Sequence, residues 1–311
     1  MLSPARLQIL LELRQHGTLA RAAQILNYTP SALSQQLSAL EAEVAVPLTV
    51  KVGRGLRLTT QGDILADHAQ RIIAQLEEAQ ADLAASLKGV AGRLRVASFQ
   101  SVLLTLVPDT LTLLTERHPR LRVEITQYDD PDAMDGLLTH DFDLILGEEY
   151  PGQPIRGTVA GIQWEELARD PLRIALPLEG PWSDPGLQLH DLALAPWVLE
   201  DEHAAFGRWA VAMMREAGFT PNVPFVSTDI LLHLHLVETG HALAIVPDLL
   251  WLSQTPRVRL ADLPGSPARS ILTGVREGGR THPAVVAFRQ ALRDVTADLR
   301  RKAGVPVTGR G

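Results

Sequence analysis

Apolar and polar positions follow three different rhythms along the chain. Over the first 45 residues they fall at helical spacing in short runs. Leu7, Leu10, Leu11 and Leu13 form one face of a first helix that Gly17 ends. Thr18 suits the N-cap of a second helix over 19–26, and Asn27-Tyr28 makes a turn. Thr29 then caps a third helix. Pro30 holds its first position, where a missing N–H costs nothing, and the pattern runs through Ser31, Leu33, Leu37 and Leu40 to about Glu43. Beyond it, 48–52 and 56–59 flank Gly53-Arg54-Gly55, the pattern of a hairpin wing with a basic tip.

The second rhythm belongs to one long helix. From Thr60 to about Lys88 there is no proline, and Leu65, Ala69, Ile72, Leu76, Ala79 and Leu83 alternate spacings of four and three. Such a helix spans roughly 40 Å. Alone in solvent it has little to bury that stripe against, so a partner chain is expected, with Leu65, Ile72, Leu76 and Leu83 as dimerisation residues. Gly89 to Gly92 breaks the chain. The third rhythm then alternates strands (94–98, 121–128, 143–147, 172–176, 197–199, 242–246) with helices (102–116, 131–140, 206–217, 230–239, 283–300). It reads as βαβ architecture with a mostly parallel sheet, and the tail 303–311 reads as frayed.

Composition changes this picture in two places. An apolar fraction of 46% and a charged fraction of 21% are ordinary for globular protein, and 311 residues suggest two or three domains. The absence of cysteine removes disulfides, thiolate metal sites and cysteine redox sensing. The N-terminus lacks the layout of a secretory leader and no stretch approaches a membrane span, so a soluble cytoplasmic protein with no membrane partner is expected. The net charge of −7 argues, taken whole, against nucleic acid. Its distribution argues for it. Residues 1–60 hold Arg6, Arg14, Arg21, Lys51, Arg54 and Arg57 against Glu12, Glu41 and Glu43, a balance of +3, which leaves −10 on the other 251 residues. A positive head on an acidic body is the layout expected when only the head meets phosphate.

Two helices joined by a short turn are the DNA-reading unit whose second helix enters the major groove. Its outward face here is Thr29, Pro30, Ser31, Ser34, Gln35 and Ser38, short and uncharged. Arg54 at the wing tip suits a narrow minor groove, and Lys51 and Arg57 suit phosphate.

The run from Gly17 to Glu41, with Arg21-Ala22-Ala23, Ser34-Gln35-Gln36 and Leu40-Glu41, followed by Gly53-Arg54-Gly55-Leu56-Arg57-Leu58-Thr59 and Gly62, resembles the signature of LysR-type transcriptional regulators. The likeness continues through Leu111, Pro119, Val123, Asp143-Leu144 and Gly240 to Pro247. It implies an α/β multidomain chain. A winged helix-turn-helix (1–59) is followed by a dimerising linker helix (60–89) and a two-lobed α/β effector domain resembling periplasmic binding proteins (90–302). The lobes are expected at 93–163 plus 269–302 and at 164–268, with crossings near 162–164 and 269–271. It further implies a homodimer or homotetramer on an inverted repeat in double-stranded promoter DNA, modulated by a small-molecule effector between the lobes, with RNA polymerase as a further partner. Departures matter. The family often has Gln where Pro30 stands, Arg where Gln35 stands, Leu-Phe-Glu-Arg where Leu48-Thr49-Val50-Lys51 stands, and a second glycine where Ala242 stands. Base preference therefore does not carry over.

For the effector, position in the family marks Ser101, Asp130 and Phe206. Gln100 sits beside Ser101 at a strand-to-helix junction, and His203, Ser227 and Thr228 complete the candidate set. Ser101, Asp130, Ser227 and Thr228 serve equally well as helix N-caps, and Phe206 as core. An aspartate at position 130, with Asp129, Glu200, Asp201 and Glu202 nearby, favours an amino acid or other amine-bearing metabolite over a plain carboxylate. His203, His233, His235 and His241 read as surface or cap residues, since His233 and His235 point to different sides of a helix and no metal-binding run accompanies them. No cofactor and no catalytic residue is expected: Gly-x-Ser-x-Gly, phosphate-loop and dinucleotide motifs are absent. A solute-binding protein of similar body is opposed by the missing leader and by the head.

Overall fold

The computed structural model describes residues 2–53, 55–87, 89–128, 132–157, 159–184 and 186–304. Arg54, Asp129 and Asp130 lie outside them. The head consists of α1 (Pro4–His16), α2 (Leu19–Ile25), α3 (Pro30–Val44) and an antiparallel hairpin, β1 (Thr49–Val52) with β2 (Gly55–Leu58). Its boundaries are local chemistry. Gly17 at φ +65° lets the chain leave α1 with its N–H still bonded to Leu13. Thr18 and Thr29 accept from the N–H of Arg21 and Ala32 as N-caps. Leu10, Leu13, Leu33, Leu37, Leu40 and Leu48 bury together beneath.

Thr59 caps α4 (Thr60–Ala85). At Gly62 a Cβ would lie 2.1 Å from the Leu48 carbonyl oxygen, so glycine is what lets α4 leave so close to the wing. The stripe along α4 divides. Ala69 is buried and Leu65 packs into the core of its own head, while Ile72, Leu76 and Leu83 are exposed. Leu65, half-buried where α1 packs on α4, is already partly engaged by its own chain, unlike the other three expected dimerisation residues.

The body contains β3 (Ala91–Ser98), α5 (Gln100–Thr105), α6 (Val107–Arg117), β4 (Arg120–Gln127), α7 (Asp132–Leu138), β5 (Leu144–Glu149), β6 (Ile162–Leu176), β7 (Pro196–Leu199), α8 (Ala205–Glu216), β8 (Asn222–Val226), α9 (Ile230–Glu238), β9 (Ala244–Pro247), β10 (Arg259–Asp262), β11 (Ala268–Arg276) and α10 (Pro283–Lys302). The single helix expected over 102–116 is two, since Pro108 has no N–H to continue the ladder of α5. The expectation of a mostly parallel sheet is also corrected. β3 is parallel to β4 and β5, and β7 to β8, but β11 runs antiparallel to both β5 and β6, and β6 antiparallel to β9 and β10.

The reason lies in β6. Its residues 162–171 pair with β11, and from Leu172 the same strand pairs with β9 and β10. One strand thus serves two lobes, each with its own apolar core. β6 and β11 run alongside each other in opposite directions between them, which makes the sheet mixed. The cleft between the lobes forms beside this pair.

Candidate functional site

On the head, Thr29, Pro30, Ser31, Ser34, Gln35 and Ser38 are all exposed along one side of α3, and Lys51 and Arg57 are exposed on the wing. The acids turn elsewhere. Glu12 is buried, and Glu41 accepts from the N–H groups of Leu48 (2.8 Å) and Thr49 (3.1 Å), tying the wing to α3. Arg6, Arg14 and Arg21 are held in ion pairs with Glu43, Asp67 and Asp135. Among the described residues, Lys51 and Arg57 make no such pair. A polar, uncharged helix face beside an uncommitted basic wing is a surface suited to a groove flanked by phosphates.

The interlobe cleft brings together four of the expected effector residues. Gln100 and Ser101 open α5 on one wall, and Phe206 and Thr228 stand on the other. Gln100 bridges the mouth: its Nε2 donates to Asp229 at 2.9 Å and its Oε1 accepts from the Ile230 N–H at 2.8 Å. The space left inside is about 50 Å³, room for a water or two.

The other expected residues are differently placed. His203 is exposed, with its side chain 94% accessible, and does not line the cleft. Ser227 accepts from the Asp229 N–H, and Asp229, not Ser227 or Thr228, caps α9 by accepting from Leu231. Ser101 is no cap either. It is the second residue of α5, and its hydroxyl accepts from Arg269 at 2.8 Å. Glu200 lines the cleft; Asp201 and Glu202 do not. Phe206 is both wall and core, packed on Tyr150 and Trp209 with ring centroids 5.4 and 6.0 Å away.

Sequence reasoning missed the charged centre. Arg269, at the start of β11, is buried beneath the cleft. It meets Asp170 of β6 at 2.9 Å and Glu148 of β5 at 2.5 Å, and its guanidinium lies 5.2 Å from the centre of the Phe99 ring. Burial alone would lower the Arg269 pKa, but Asp170 and Glu148 raise it above its ordinary range. Burial pushes the Asp170 carboxyl up, against the pull of Arg269 and of the Leu249 N–H. The guanidinium stays charged, and its burial requires the ionised partner. Asp170 and Arg269 are far apart in sequence; the signal was that each sits on a strand between the lobes. Tyr150 beside them has its pKa pushed up by burial and by Glu148, so its hydroxyl keeps its proton.

His233 corrects the reading of surface histidines. It is buried on the cleft wall, and its Nε2 lies 2.8 Å from the Ser227 carbonyl, so the proton resides on Nε2. Nδ1 is then an acceptor without a hydrogen-bond partner among the described residues. Burial lowers the His233 pKa and keeps the ring neutral. Among the described residues no group of three or more His, Asp or Glu is arranged to hold a metal, and no helix is long and apolar enough to cross a membrane.

Comparison with known proteins accounts for both regions. Residues 4–63 match the bacterial regulatory helix-turn-helix protein family of lysR type, and residues 87–297 the LysR substrate binding domain. The regulator DgdR of Burkholderia cepacia is 30% identical over 284 residues, 89% of this chain and 88% of its own. ClcR of Pseudomonas putida is 25% identical over 291 residues, 92% and 97% of the two chains. Among solved structures, a full-length OxyR variant from Pseudomonas aeruginosa superposes with a TM-score of 0.61 at 19% identity, covering 94% of this chain and 95% of that one. CbnR, a LysR family regulator, does so with a TM-score of 0.53 at 23% identity, covering 94% and 100%. With a helix-turn-helix and a substrate-binding domain matched in order over most of its length, this chain belongs to the LysR family and is a DNA-binding transcriptional regulator.

Proposed function

We propose that this regulator binds an inverted repeat in promoter DNA as a dimer or a pair of dimers, and that an amine-bearing small molecule, an amino acid or a close relative, enters the interlobe cleft and alters that binding. The observation carrying the effector class is the surplus of acid around the cleft. Glu148 lines it and Asp170 lies behind it, two carboxylates sharing the single guanidinium among its described lining residues, Arg269, which also engages Ser101; Glu200 lines the cleft as well. A ligand cation answers that surplus, and an ammonium N–H also answers the unpartnered Nδ1 of His233. The N–H groups in the first turn of α5 lack intrahelical acceptors and suit the carboxylate of an amino acid. For the partners, the exposed Ile72, Leu76 and Leu83 on α4 support self-association, and the relative CbnR has been solved on its target DNA.

Calorimetric titration of the full-length protein with small aliphatic amino acids, against plain mono- and dicarboxylates of the same size, tests the effector class. The amino acids should bind and plain carboxylates should not, with amino-acid binding weakened about tenfold or more in Glu200→Gln. Tight binding of a plain carboxylate, indifferent to Glu200→Gln, would overturn it.

A further inference from the structure

A larger cavity lies away from the cleft, where the head meets the body. It measures about 280 Å³, opens to solvent on one side, and is bounded by α1, α4, the turn after α7, residues 159–161 and the end of β11. For scale, an apolar cavity of about 150 Å³ takes up benzene. Its apolar lining comes from both regions: Leu11 on α1, Ile73 and Ala74 on α4, and Leu138, Val159 and Ala160 on the body. Beside the cavity, at Gly278, a Cβ would lie 2.2 Å from the Ala74 carbonyl oxygen, so the body sits directly on α4 there.

The charged groups around this space do not balance. Both guanidiniums are committed. Arg14 bonds Asp67 at 2.7 Å and Gln70 at 3.0 Å, and Arg276 bonds Glu77 and the carbonyl oxygens of Leu137 and Phe142. His140 lies 3.6 Å from Glu77, and burial lowers its pKa toward the neutral form. Against them stand Glu12, Glu77 and Glu277. Glu277 makes no ion pair among the described residues. Glu12 is buried; its Oε1 accepts from Gln8 at 2.9 Å, but its Oε2 has no hydrogen-bond donor, with His16 Nε2 at 3.4 Å poorly aligned.

We propose that this cavity is a second small-molecule site, separate from the cleft, for a compact amphipathic cation: one or two rings on the apolar floor and an ammonium group answering the unmatched carboxylates. A partner seated on Ile72, Leu76 and Leu83 would not fill it. The cavity residues of α4 (Gln70, Ile73, Ala74, Glu77) lie about 130° around the helix from Ile72, Leu76 and Leu83 at 100° per residue. Burial pushes the Glu12 carboxyl up to about 7, and a cation beside it would draw it toward the ionised form. The site joins the DNA-binding head to the body beside the existing contacts Arg21–Asp135 and Gln8–Leu138. An occupant touching both stabilises their docked arrangement. By linkage, it changes DNA affinity wherever operator binding alters that arrangement.

The test uses the full-length protein with tryptamine and 2-phenylethylamine as probes, and indole-3-propionate and 3-phenylpropionate as charge-reversed controls, followed by calorimetry. Both amines should bind, with the acids weaker by about tenfold or more. Ala160→Phe, which places a ring in the cavity from an exposed position, should abolish amine binding, and Glu12→Gln should weaken it. Glu200→Gln in the cleft should leave it unchanged. If Glu12→Gln does not fold, Ala160→Phe still decides the matter. The proposal is overturned if no amine binds, if the acids bind equally, if Ala160→Phe has no effect, or if Glu200→Gln alone abolishes binding, which assigns the amine to the cleft.

Discussion

Gln100 and Asp229 close the cleft on each other, 2.9 Å apart across its mouth, while the same Gln100 amide accepts from the N–H of Ile230. That N–H is in the first turn of α9 and has no acceptor within the helix. Gln100 therefore supplies from one lobe what a helix terminus in the other lacks. With the bridge in place the cleft holds about 50 Å³, so an effector of the size proposed above gains room when the bridge opens. Two such hydrogen bonds are worth about 1 kcal/mol each. Gln100→Ala should speed hydrogen exchange at the Ile230 amide by roughly tenfold and accelerate effector association. Exchange as slow as in the parent would show that the bridge does not hold the lobes.

Asp170 and Arg269 carry a larger stake. Removing one partner of a buried pair strands the other, at about 3–5 kcal/mol. Asp170→Ala should lower the stability of the body in urea by that order. Asp170→Leu combined with Arg269→Met should recover most of the loss, since two apolar side chains replace two charges. A single-variant loss under about 1 kcal/mol would mean that Glu148 and Ser101 suffice to hold Arg269.

On the head, operator binding should fall steeply with salt, because its bases act by releasing counterions. Ser34→Arg crowds the exposed face of α3 while adding charge. It should weaken binding to the operator, located by genome-wide mapping, more than binding to random duplex. Equal losses on both, by fluorescence anisotropy, would put the base-reading face elsewhere on α3.

What was legible in the chain, and what was not, follows the range of the interactions. Capping by Thr18 and Thr29, the end of α1 at Gly17 and the polar face of α3 are set within a few residues, and the structure repeats them. Ser101 and Phe206 were placed through the resemblance, Gln100 by its strand-to-helix junction and Thr228 by its place before a helix, and the four do meet at the cleft. Arg269 and Asp170 were not legible as a pair, because only the antiparallel run of β6 and β11 brings them together. His233 was misread for a similar reason: its burial comes from the packing of α9 on the sheet, which a histidine in a helical pattern does not announce. Leu65 fits a heptad, yet the covering of α4 by α1 decides where it goes.

The exposed part of that heptad leads to a test of assembly. Ile72, Leu76 and Leu83 present an apolar stripe left 38%, 47% and 70% exposed. Ile72→Asp would place a carboxylate in any interface formed there, costing several kcal/mol by order of magnitude. Light scattering should show a shift toward monomer, with operator affinity falling alongside. The same substitution at Leu65 should chiefly destabilise the head. An unchanged oligomer in Ile72→Asp would move self-association to the body.

Glu12 sets a pH dependence whose sign is fixed by its burial. Its carboxyl has an ordinary value of 4.5 and is raised to about 7 in the folded chain, chiefly by desolvation, against the Gln8 hydrogen bond and with a further push from Asp135. Between those values the folded state binds the proton that the unfolded state has lost, so stability falls as pH rises from 4.5 to about 7 and is level above. The full span is on the order of 3 kcal/mol. His16 nearby works the other way: burial lowers its pKa, so stability falls as pH drops below its ordinary value of 6.5 toward the lower folded one. Arg21 and Asp135 face the same group. Glu12→Gln keeps the hydrogen bond to Gln8 and removes the titration. Compared with the parent in an otherwise identical His16→Asn background, it should gain stability progressively from pH 5 to about pH 7 and then level off. A difference that is flat with pH would mean that Glu12 titrates near its ordinary value, and that the junction between head and body is wetter than its burial implies.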